Sequence, residues 1–257
     1  MSRFPSRCMA WLLLATGCLS LHASADDRAP HWGYEKITTP DDWADLAPAC
    51  AGDLQSPINL LPGRAGHGHP HALHVDYPAM HFSVLNNGHT LQATPLPKPQ
   101  GGVTIDGERY RLLQFHVHTP SEHFVDGRAH AMELHLVHAS DSGKTAVVAV
   151  FFDIGAPNAT LGAFFAQMPR HLASPGDQVE LRKPMHLAAL LPANPAGLRY
   201  VGSLTTPPCT EDVLWNIELT PQSLSQEQLA DLRALYPHNS RPLQAFNGRD
   251  IDDESIE

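Results

Sequence analysis

Short apolar runs separated by polar and turn-forming residues make up most of the chain. Such runs are typical of a loop-rich, mainly β protein. The 23 prolines and 18 glycines scattered between the runs predict turns and loops. The strongest strand candidates are Leu73–Val75, Met80–Asn86, Thr90–Ala93, Arg109–His118, Ala131–His138, Ala146–Asp153 and Val213–Leu219.

Helical periodicity is rare. The clearest case is Ser225–Leu235, in which Ser223 or Ser225 can cap the first turn, leucines recur on one face and Pro237 ends the helix. A second short helix is predicted around Leu161–Met168. This distribution predicts a mainly β fold of the β-rich α+β class, a single domain with a large, mostly antiparallel central sheet and short peripheral helices.

The first 25 residues have the pattern of a secretion signal. Two arginines precede the apolar run Cys8–Leu21, and Ala23–Ala25 is a small-residue cleavage site. We therefore expect export, to the periplasm or out of the cell, and a single mature domain over residues 26–257.

Charge and hydropathy narrow the choice of partners. The chain has 27 acidic against 17 basic side chains, so neither nucleic acid nor an anionic membrane surface is an expected partner. No run after the leader approaches the roughly 20 apolar residues that a membrane span needs. Membrane attachment would instead require a lipid on Cys18 of Gly17-Cys18, and Ala15 is a poor match to such a lipoprotein site.

Two cysteines, Cys50 and Cys209, lie outside the leader. A pair of cysteines in an exported chain most often forms one disulfide, and two free thiols are the alternative. We expect the disulfide, since free thiols are less common outside the cytoplasm.

One segment, Gly66–His74, is rich in histidine. Such a tract can collect metal ions, but its glycines and proline give it no fixed geometry. We interpret it as a solvated loop rather than as a metal trap.

Three other histidines lie in two predicted strands. Gln114, His116 and His118 alternate along the first strand, and Glu133 and His135 alternate along the second. Because alternate residues of a strand point to the same side, neighbouring strands would bring three imidazoles to one point with an amide and a carboxylate behind them.

That arrangement suits a catalytic zinc ion. Three neutral nitrogens hold the metal, and its fourth position is left to a water that then ionises far more readily than free water. Gln114 and Glu133 would each fix the orientation of a ligand imidazole. A His-x-His pair alone is weak evidence for a metal site, so the surrounding sequence matters.

The surrounding sequence resembles the alpha-class carbonic anhydrases over nearly the whole chain after the leader. The resemblance is specific because many short motifs occur in the same order. These motifs are His31-Trp32-Gly33-Tyr34, Gln55-Ser56-Pro57-Ile58-Asn59, Asn86-Asn87-Gly88-His89, Gln114-Phe115-His116-Val117-His118, Ser121-Glu122-His123, Glu133-Leu134-His135-Leu136-Val137-His138, Gly202-Ser203-Leu204-Thr205-Thr206-Pro207-Pro208 and Arg241-Pro242.

The resemblance implies catalytic roles for three further residues. Thr205 would accept the proton of zinc-bound hydroxide and donate its own hydroxyl hydrogen to Glu122. Because an ionised carboxylate can only accept, Glu122 would fix the direction of that chain. His89 matches the proton shuttle, a role suited to a side chain that titrates near neutral pH. Tyr34 matches a tyrosine that orders water in the cavity.

The resemblance also implies a substrate pocket. Carbon dioxide has no charge to bind, so the wall of its pocket should be apolar, and the backbone N–H of Thr205 would hold one substrate oxygen. Thr206 and Gln92 match further cavity positions. The wall residues are Val137, Val147, Leu204 and Trp215.

Cys50 and Cys209 match a disulfide found in exported members of the family, and bacterial relatives often form dimers, so a homodimer is compatible with the resemblance. The implied function is zinc-dependent, reversible hydration of carbon dioxide to bicarbonate, with esterase activity as a side reaction. The main alternative is a non-catalytic periplasmic zinc-binding protein of the same fold. Another is a metal-storage protein that uses His67–His74.

Overall fold

The computed structural model describes residues 32–35, 38–97, 101–168, 172, 174–193 and 196–256, and residues 67–71, 255 and 256 are described by their backbone. The predicted secretion signal, the alternative lipoprotein site and the mature N-terminus lie outside the described residues. The strands are β1 (Asn59–Leu60), β2 (Gly66–Asp76), β3 (His81–Asn86), β4 (Leu91–Leu96), β5 (Gly102–Ile105), β6 (Glu108–His118), β7 (Phe124–Val125), β8 (Arg128–Ala129), β9 (Met132–Ser140), β10 (Thr145–Ile154), β11 (Gln178–Glu180), β12 (Gly197–Gly202), β13 (Val213–Leu224) and β14 (Asp252–Ile256). The α-helices are α1 (Trp43–Leu46), α2 (Ala159–Phe165) and α3 (Gln226–Leu235), and single 3-10 turns cover Pro40–Asp42, Pro48–Ala51, Pro62–Arg64 and Leu187–Leu190.

Eleven of these strands form one large sheet. Their order is β11-β3-β4-β6-β5-β2-β14-β12-β13-β10-β9, and β6 also pairs with β9. The pairs β2/β14 and β10/β13 are parallel and the other pairs in this sheet are antiparallel. The remaining strands form a small sheet in the order β1-β7-β8. The predicted mainly β fold with a mostly antiparallel sheet is confirmed.

The sheet is buried on both faces at β10. Even-numbered residues of this strand, from Ala146 to Phe152, belong to one hydrophobic cluster, and Val147, Ala149 and Phe151 belong to another. Because alternate side chains point to opposite faces, a continuous apolar strand separates two cores. The second cluster contains Trp215 and packs on the side that carries the candidate site.

The two predicted helices are present. Ser225 caps α3 in a capping box with Gln228, and the helix ends at Leu235, two residues before Pro237. The other helix, α2, begins after Asn158, whose side chain accepts the backbone N–H groups of residues 160 and 161, and it ends earlier than predicted, at Phe165. None of the described helices has the length and apolar character that crossing a membrane requires.

The interpretation of Gly66–His74 as a loop is wrong, because its backbone forms most of β2. Strand β2 lies between β5 and β14 and pairs with both. Backbone hydrogen bonding needs no particular side chain, so two available partner strands outweigh the turn-forming composition. The strands β5, β12 and β14 were likewise absent from the sequence candidates.

Candidate metal centre

The three predicted histidine ligands lie side by side on β6 and β9. These strands are antiparallel, with His116 opposite His135 and His118 opposite Glu133. The ring centroids of His116 and His118 are 5.0 Å apart, and those of His135 lie 5.2 and 4.6 Å from them. One nitrogen from each ring lies within 4.8 Å of the other two. The strand pairing therefore brings all three imidazoles to one point.

A β-bulge at Leu113 determines the face on which these histidines lie. Leu112 and Phe115 both belong to the hydrophobic core, although they are three residues apart. The pairing with β9 skips Leu113, which is 43% exposed. In an unbroken strand His116 would share the face of Leu112 and enter the core. The extra residue instead turns His116 to the opposite face.

The nitrogen of each ring that points away from the common point donates to a fixed acceptor. The pairs are His116 Nδ1 with Gln114 Oε1 at 2.8 Å, His118 Nδ1 with the Asn239 carbonyl at 2.6 Å and His135 Nε2 with Glu133 Oε1 at 2.8 Å. An acceptor at one nitrogen fixes the proton there and leaves the lone pair on the other. The lone pairs are therefore on Nε2 of His116 and His118 and on Nδ1 of His135.

Burial keeps two of these rings uncharged. Burial, and then the nearby His118 and His135, lower the pKa of His116 well below its usual value. Burial lowers the pKa of His118, although Glu122 raises it. Nε2 of His118 is buried without a hydrogen-bond partner among the described residues, a loss that usually costs about 1–3 kcal/mol. Three converging imidazoles, two of them uncharged and one of those otherwise unsatisfied, fit a zinc ion.

Glu133 is a fully buried carboxylate behind His135. Its Oε1 accepts from His135 and, at 2.7 Å, from Nδ1 of His123, and its Oε2 accepts the backbone N–H groups of Glu122 and His123 at 2.8 Å. Burial raises the pKa of Glu133, but His123 and His135 together lower it by more, so the net pKa lies well below the usual range. An ionised, acceptor-only carboxylate holds both imidazoles as donors.

The network continues from His123 to the loop before Thr205. Tyr200 Oη lies 2.6 Å from Nε2 of His123 and 2.8 Å from Oγ of Ser56, which accepts the backbone N–H of Ser203. By spacing alone, His123, Glu133 and His135 form a second group that could hold a metal. Because their facing atoms are already hydrogen-bonded to one another, they support the first site rather than form another.

Glu122 is buried between two of the histidines. Its Oε1 lies 3.5 Å from Nδ1 of His118 and accepts the backbone N–H of Arg241 at 2.9 Å, and its Oε2 lies 4.0 Å from Nδ1 of His135. No hydrogen bond joins Thr205 to Glu122, and Glu122 Oε2 has no hydrogen-bond partner in the described part of the chain. Thr205 is itself buried. The predicted hydrogen bond between these two residues is therefore not formed in this structure.

His89 lies on the turn between β3 and β4. Asn87 Oδ1 accepts the backbone N–H of His89 at 2.9 Å, and Gly88 has a φ of 88°, a conformation that favours glycine. The His89 ring stacks on Trp32 at a centroid distance of 3.5 Å. Asn239, whose carbonyl accepts from His118, donates from its side chain to the His89 carbonyl at 3.1 Å. The turn is thereby connected to the candidate metal centre.

The predicted pocket residues share one hydrophobic cluster. Trp215 and Val147 are buried within it, and Val137 and Leu204 pack against it. The Trp215 ring lies 4.9 Å from the His135 ring, and its Nε1 donates to the Ser203 carbonyl. Thr206 and Gln92, the other two predicted cavity residues, are half-buried.

Cys50 and Cys209 form the predicted disulfide. The bridge packs with Trp43 and with half-buried Tyr34. Burial, and then the charge of Glu122, raise the pKa of Tyr34 well above its usual value, so that phenol stays protonated. The disulfide therefore joins the 3-10 turn Pro48–Ala51 to the loop that carries Thr205.

Two supporting residues were missed as functional by the sequence analysis. Asn239 acts on His118 through its backbone carbonyl, which any residue provides, so no side-chain signal existed. Arg241 donates from its guanidinium to Gln55, to the carbonyls of Ser56 and Cys50, and from its backbone to Glu122. The Arg241-Pro242 motif was the available signal for this second residue.

Comparisons with known proteins find similar sequences and similar structures. The family described as "Eukaryotic-type carbonic anhydrase" matches residues 38–255. A carbonic anhydrase of Neisseria gonorrhoeae is 37% identical over 97% of this chain and 98% of its own length, and one of Klebsiella pneumoniae is 41% identical over 86% and 90%. The solved structure of an alpha-carbonic anhydrase from Thermovibrio ammonificans, in complex with the inhibitor sulfanilamide, is 37% identical and superposes with a TM-score of 0.81, covering 88% of this chain and 99% of that one.

Proposed function

Because the chain belongs to the eukaryotic-type carbonic anhydrase family, we propose that it hydrates carbon dioxide reversibly to bicarbonate and a proton, with zinc held by His116, His118 and His135. The observation that carries the proposal is the convergence of three imidazole nitrogens whose opposite nitrogens all donate to fixed acceptors.

Zinc held by these three imidazoles would lower the pKa of a bound water to about 7, a value established for carbonic anhydrases as a class, and would so supply a nucleophile near neutral pH. The protein's contribution is to present three uncharged ligands, which leave the ion its full positive charge. Gln114, Glu133 and the Asn239 carbonyl hold the rings in the required tautomers.

Thr205 and Glu122 orient the nucleophile in this proposal. Glu122 Oε2 is a buried acceptor without a donor among the described residues, and a hydroxyl hydrogen from Thr205 would satisfy it. The Thr205 oxygen could then only accept a hydrogen from the nucleophile, which leaves a lone pair directed at carbon. The reaction changes no side chain covalently, so orientation is the main task of both residues.

The apolar cluster provides the binding surface for carbon dioxide. Val137, Val147, Leu204 and Trp215 present hydrocarbon beside the histidines, where an uncharged substrate displaces weakly held water at little cost. The backbone N–H of Thr205 would hold one substrate oxygen. Bicarbonate is charged, so this apolar wall favours its release.

His89 carries the product proton to solvent in this proposal. A His89→Ala variant should turn over more slowly in weak buffer, and added imidazole should restore most of the loss, because a small base can replace the missing side chain. Stopped-flow hydration at several buffer concentrations measures this. His81→Ala, which removes an exposed histidine of β3, is the matched control and should behave as wild type. Turnover indifferent to both His89 and buffer would exclude the shuttle role.

We also propose that the chain is exported and that the enzyme comprises residues 26–257. The Cys50–Cys209 disulfide supports this, because such bridges persist mainly in oxidising compartments.

The proposed function is tested by stopped-flow hydration of carbon dioxide with and without a zinc chelator. We expect one zinc per chain, loss of hydration to the uncatalysed rate on chelation and full recovery when zinc is returned. Wild-type turnover by the metal-free protein would refute the zinc mechanism. Stoichiometric zinc without hydration would favour the non-catalytic binding protein, and several metals per chain would favour storage through His67–His74.

A further inference from the structure

Two buried glutamates flank Gly197 in the large sheet, away from the metal centre. Gly197 of β12 pairs with Glu218 of β13 on one side and with Glu254 of β14 on the other. Directly paired residues project to the same face, so both glutamate side chains lie on the face where Gly197 has no side chain, and the charge of Glu218 acts on Glu254. A Cβ at that position would lie 3.5 Å from Glu254 Oε2.

The described residues donate too few hydrogen bonds to satisfy the oxygens of these two glutamates. Glu218 is 0% exposed, and neither of its oxygens has a hydrogen-bond partner among the described residues. Glu254 is 5% exposed; its Oε1 accepts from Arg199 at 2.6 Å, and its Oε2 is also without a described partner. Three buried carboxylate oxygens are therefore unsatisfied if both groups are ionised.

The single positive charge of Arg199 cannot neutralise two ionised glutamates. Arg199 is the only cation bonded to Glu254 among the described residues, and its guanidinium also bonds Asp106 at 2.6 Å and Asn216. Asp106 adds to the negative charge, and Tyr77, next to β2, contributes a protonated phenol. In the strand register, Asp252 of β14 lies opposite Arg199 of β12, and the backbone of His71 on β2 lies opposite Glu254. From β10, Val150 pairs with Glu218 and contributes only hydrocarbon.

We infer that Glu218 and Glu254 form a buried acid–carboxylate pair that retains one proton at neutral pH, and that this proton holds the C-terminal strand β14 in the sheet. A protonated carboxyl can donate to its neighbour, which satisfies an acceptor and leaves one negative charge for Arg199. Two carboxylates that share a buried site do not both ionise easily, so the pair titrates as a unit.

The charge environment supports this pairing. Burial raises the pKa of Glu218 to about 7. Burial raises the pKa of Glu254 to about 8, with Arg199 lowering it and Glu218 and Asp106 raising it. Both groups hold a proton more tightly in the folded chain than in the unfolded one. The resulting stabilisation is complete below the ordinary value of 4.5 and is lost as the pH rises through about 7 to 8.

Infrared spectroscopy of the wild-type protein at pH 6.5 tests the pair directly. Exposed carboxyl groups are ionised at this pH, so a protonated-carboxyl stretching band reports a buried acid. We expect the band at pH 6.5 and its loss near pH 9, and we expect that loss at a lower pH in Glu218→Gln, where Glu254 no longer has the neighbouring carboxyl group that raises its pKa. The variant Glu180→Gln, which replaces an exposed glutamate of β11, should show the same band as wild type. A wild-type spectrum without the band would overturn the inference.

Denaturant unfolding of the same variants tests the effect on stability. Between pH 6 and pH 9 the unfolding equilibrium constant of wild type should rise about tenfold more than that of Glu218→Gln, whose amide cannot ionise. Hydrogen exchange in β14, corrected for its intrinsic pH dependence, should accelerate over the same range in wild type only. Parallel pH profiles for wild type and Glu218→Gln would show that no such proton stabilises β14. If Glu218→Gln does not fold, Glu254→Gln is measured in both experiments.

Discussion

A His135→Ala variant is expected to lose both its zinc and its hydration activity, with the rate falling to that of the uncatalysed reaction. His135 is the only predicted ligand on β9, and the two imidazoles of β6 cannot complete a three-ligand site by themselves. The substitution also removes the hydrogen bond that His135 donates to Glu133, so the buried Glu133 carboxylate has one donor fewer. Metal analysis and stopped-flow hydration, measured on the same preparation, check both losses.

His130→Ala is the matched control for that experiment. Its imidazole lies just before β9, bonds Asp153 at 3.0 Å and stacks on Phe151 without reaching the three converging nitrogens. We expect this variant to retain one zinc per chain and wild-type turnover. If His135→Ala instead kept stoichiometric zinc and normal turnover, the ligand set would be wrong, whatever the family.

The central part of the fold was predictable because its strands are either continuously apolar, as β10 is, or alternate between apolar and polar side chains, as β6 does. Each sequence candidate lies in, or overlaps, a strand of the structure, and β6 and β9 were placed almost to their ends. Here the apolar residues face a core while the polar residues that alternate with them form the site. One pattern therefore predicted both the strands and the face shared by Gln114, His116 and His118.

Strand β14 and most of β2, which were missed, depend on their partner strands rather than on their own composition. Asp252–Ile256 is mostly charged and Gly66–Asp76 is rich in histidine and glycine, yet the two pair in parallel. Backbone groups make this pairing, so composition carried no signal for it. The sequence also contained no sign of the bulge at Leu113, because apolar and polar residues alternate regularly before it and after it. The bulge becomes visible only in the structure, where Leu112 and Phe115 both face the hydrophobic core although they are three residues apart.

The surroundings of the metal ligands were predictable where side chains act and not where the backbone acts. Gln114 and Glu133 follow from strand alternation, whereas the Asn239 carbonyl reaches His118 across 121 positions of sequence. The roles of Thr205 and Glu122 rest on the resemblance, and the bond between them is absent from this structure. The unpaired Glu122 Oε2 nevertheless marks where a donor would be accepted.

Replacing both Cys50 and Cys209 with alanine is expected to lower the free energy of unfolding by about 5 kcal/mol. The bridge joins positions 159 residues apart, and closing so long a loop removes a large conformational entropy from the unfolded chain, on the order of 5 kcal/mol at 25 °C. Alanine is preferred to serine because both cysteines are buried and a hydroxyl there would lack a partner. Denaturant unfolding of oxidised wild type and of the variant measures the difference.

Reduced wild-type protein is the control, since breaking the bridge without changing side-chain volume separates the cross-link from packing. It should lose nearly as much stability as the double variant. A loss below about 1 kcal/mol in both would contradict the prediction, because it would mean that the unfolded chain gains little freedom.

The effect of losing the disulfide on the loop that carries Thr205 is also testable. Gln55 donates to the Cys209 carbonyl and Arg241 to that of Cys50, so these bonds should keep the loop of Thr205 in place and preserve hydration at low temperature. An enzyme that loses stability while keeping its turnover would show that the disulfide holds the fold and that buried hydrogen bonds hold the site.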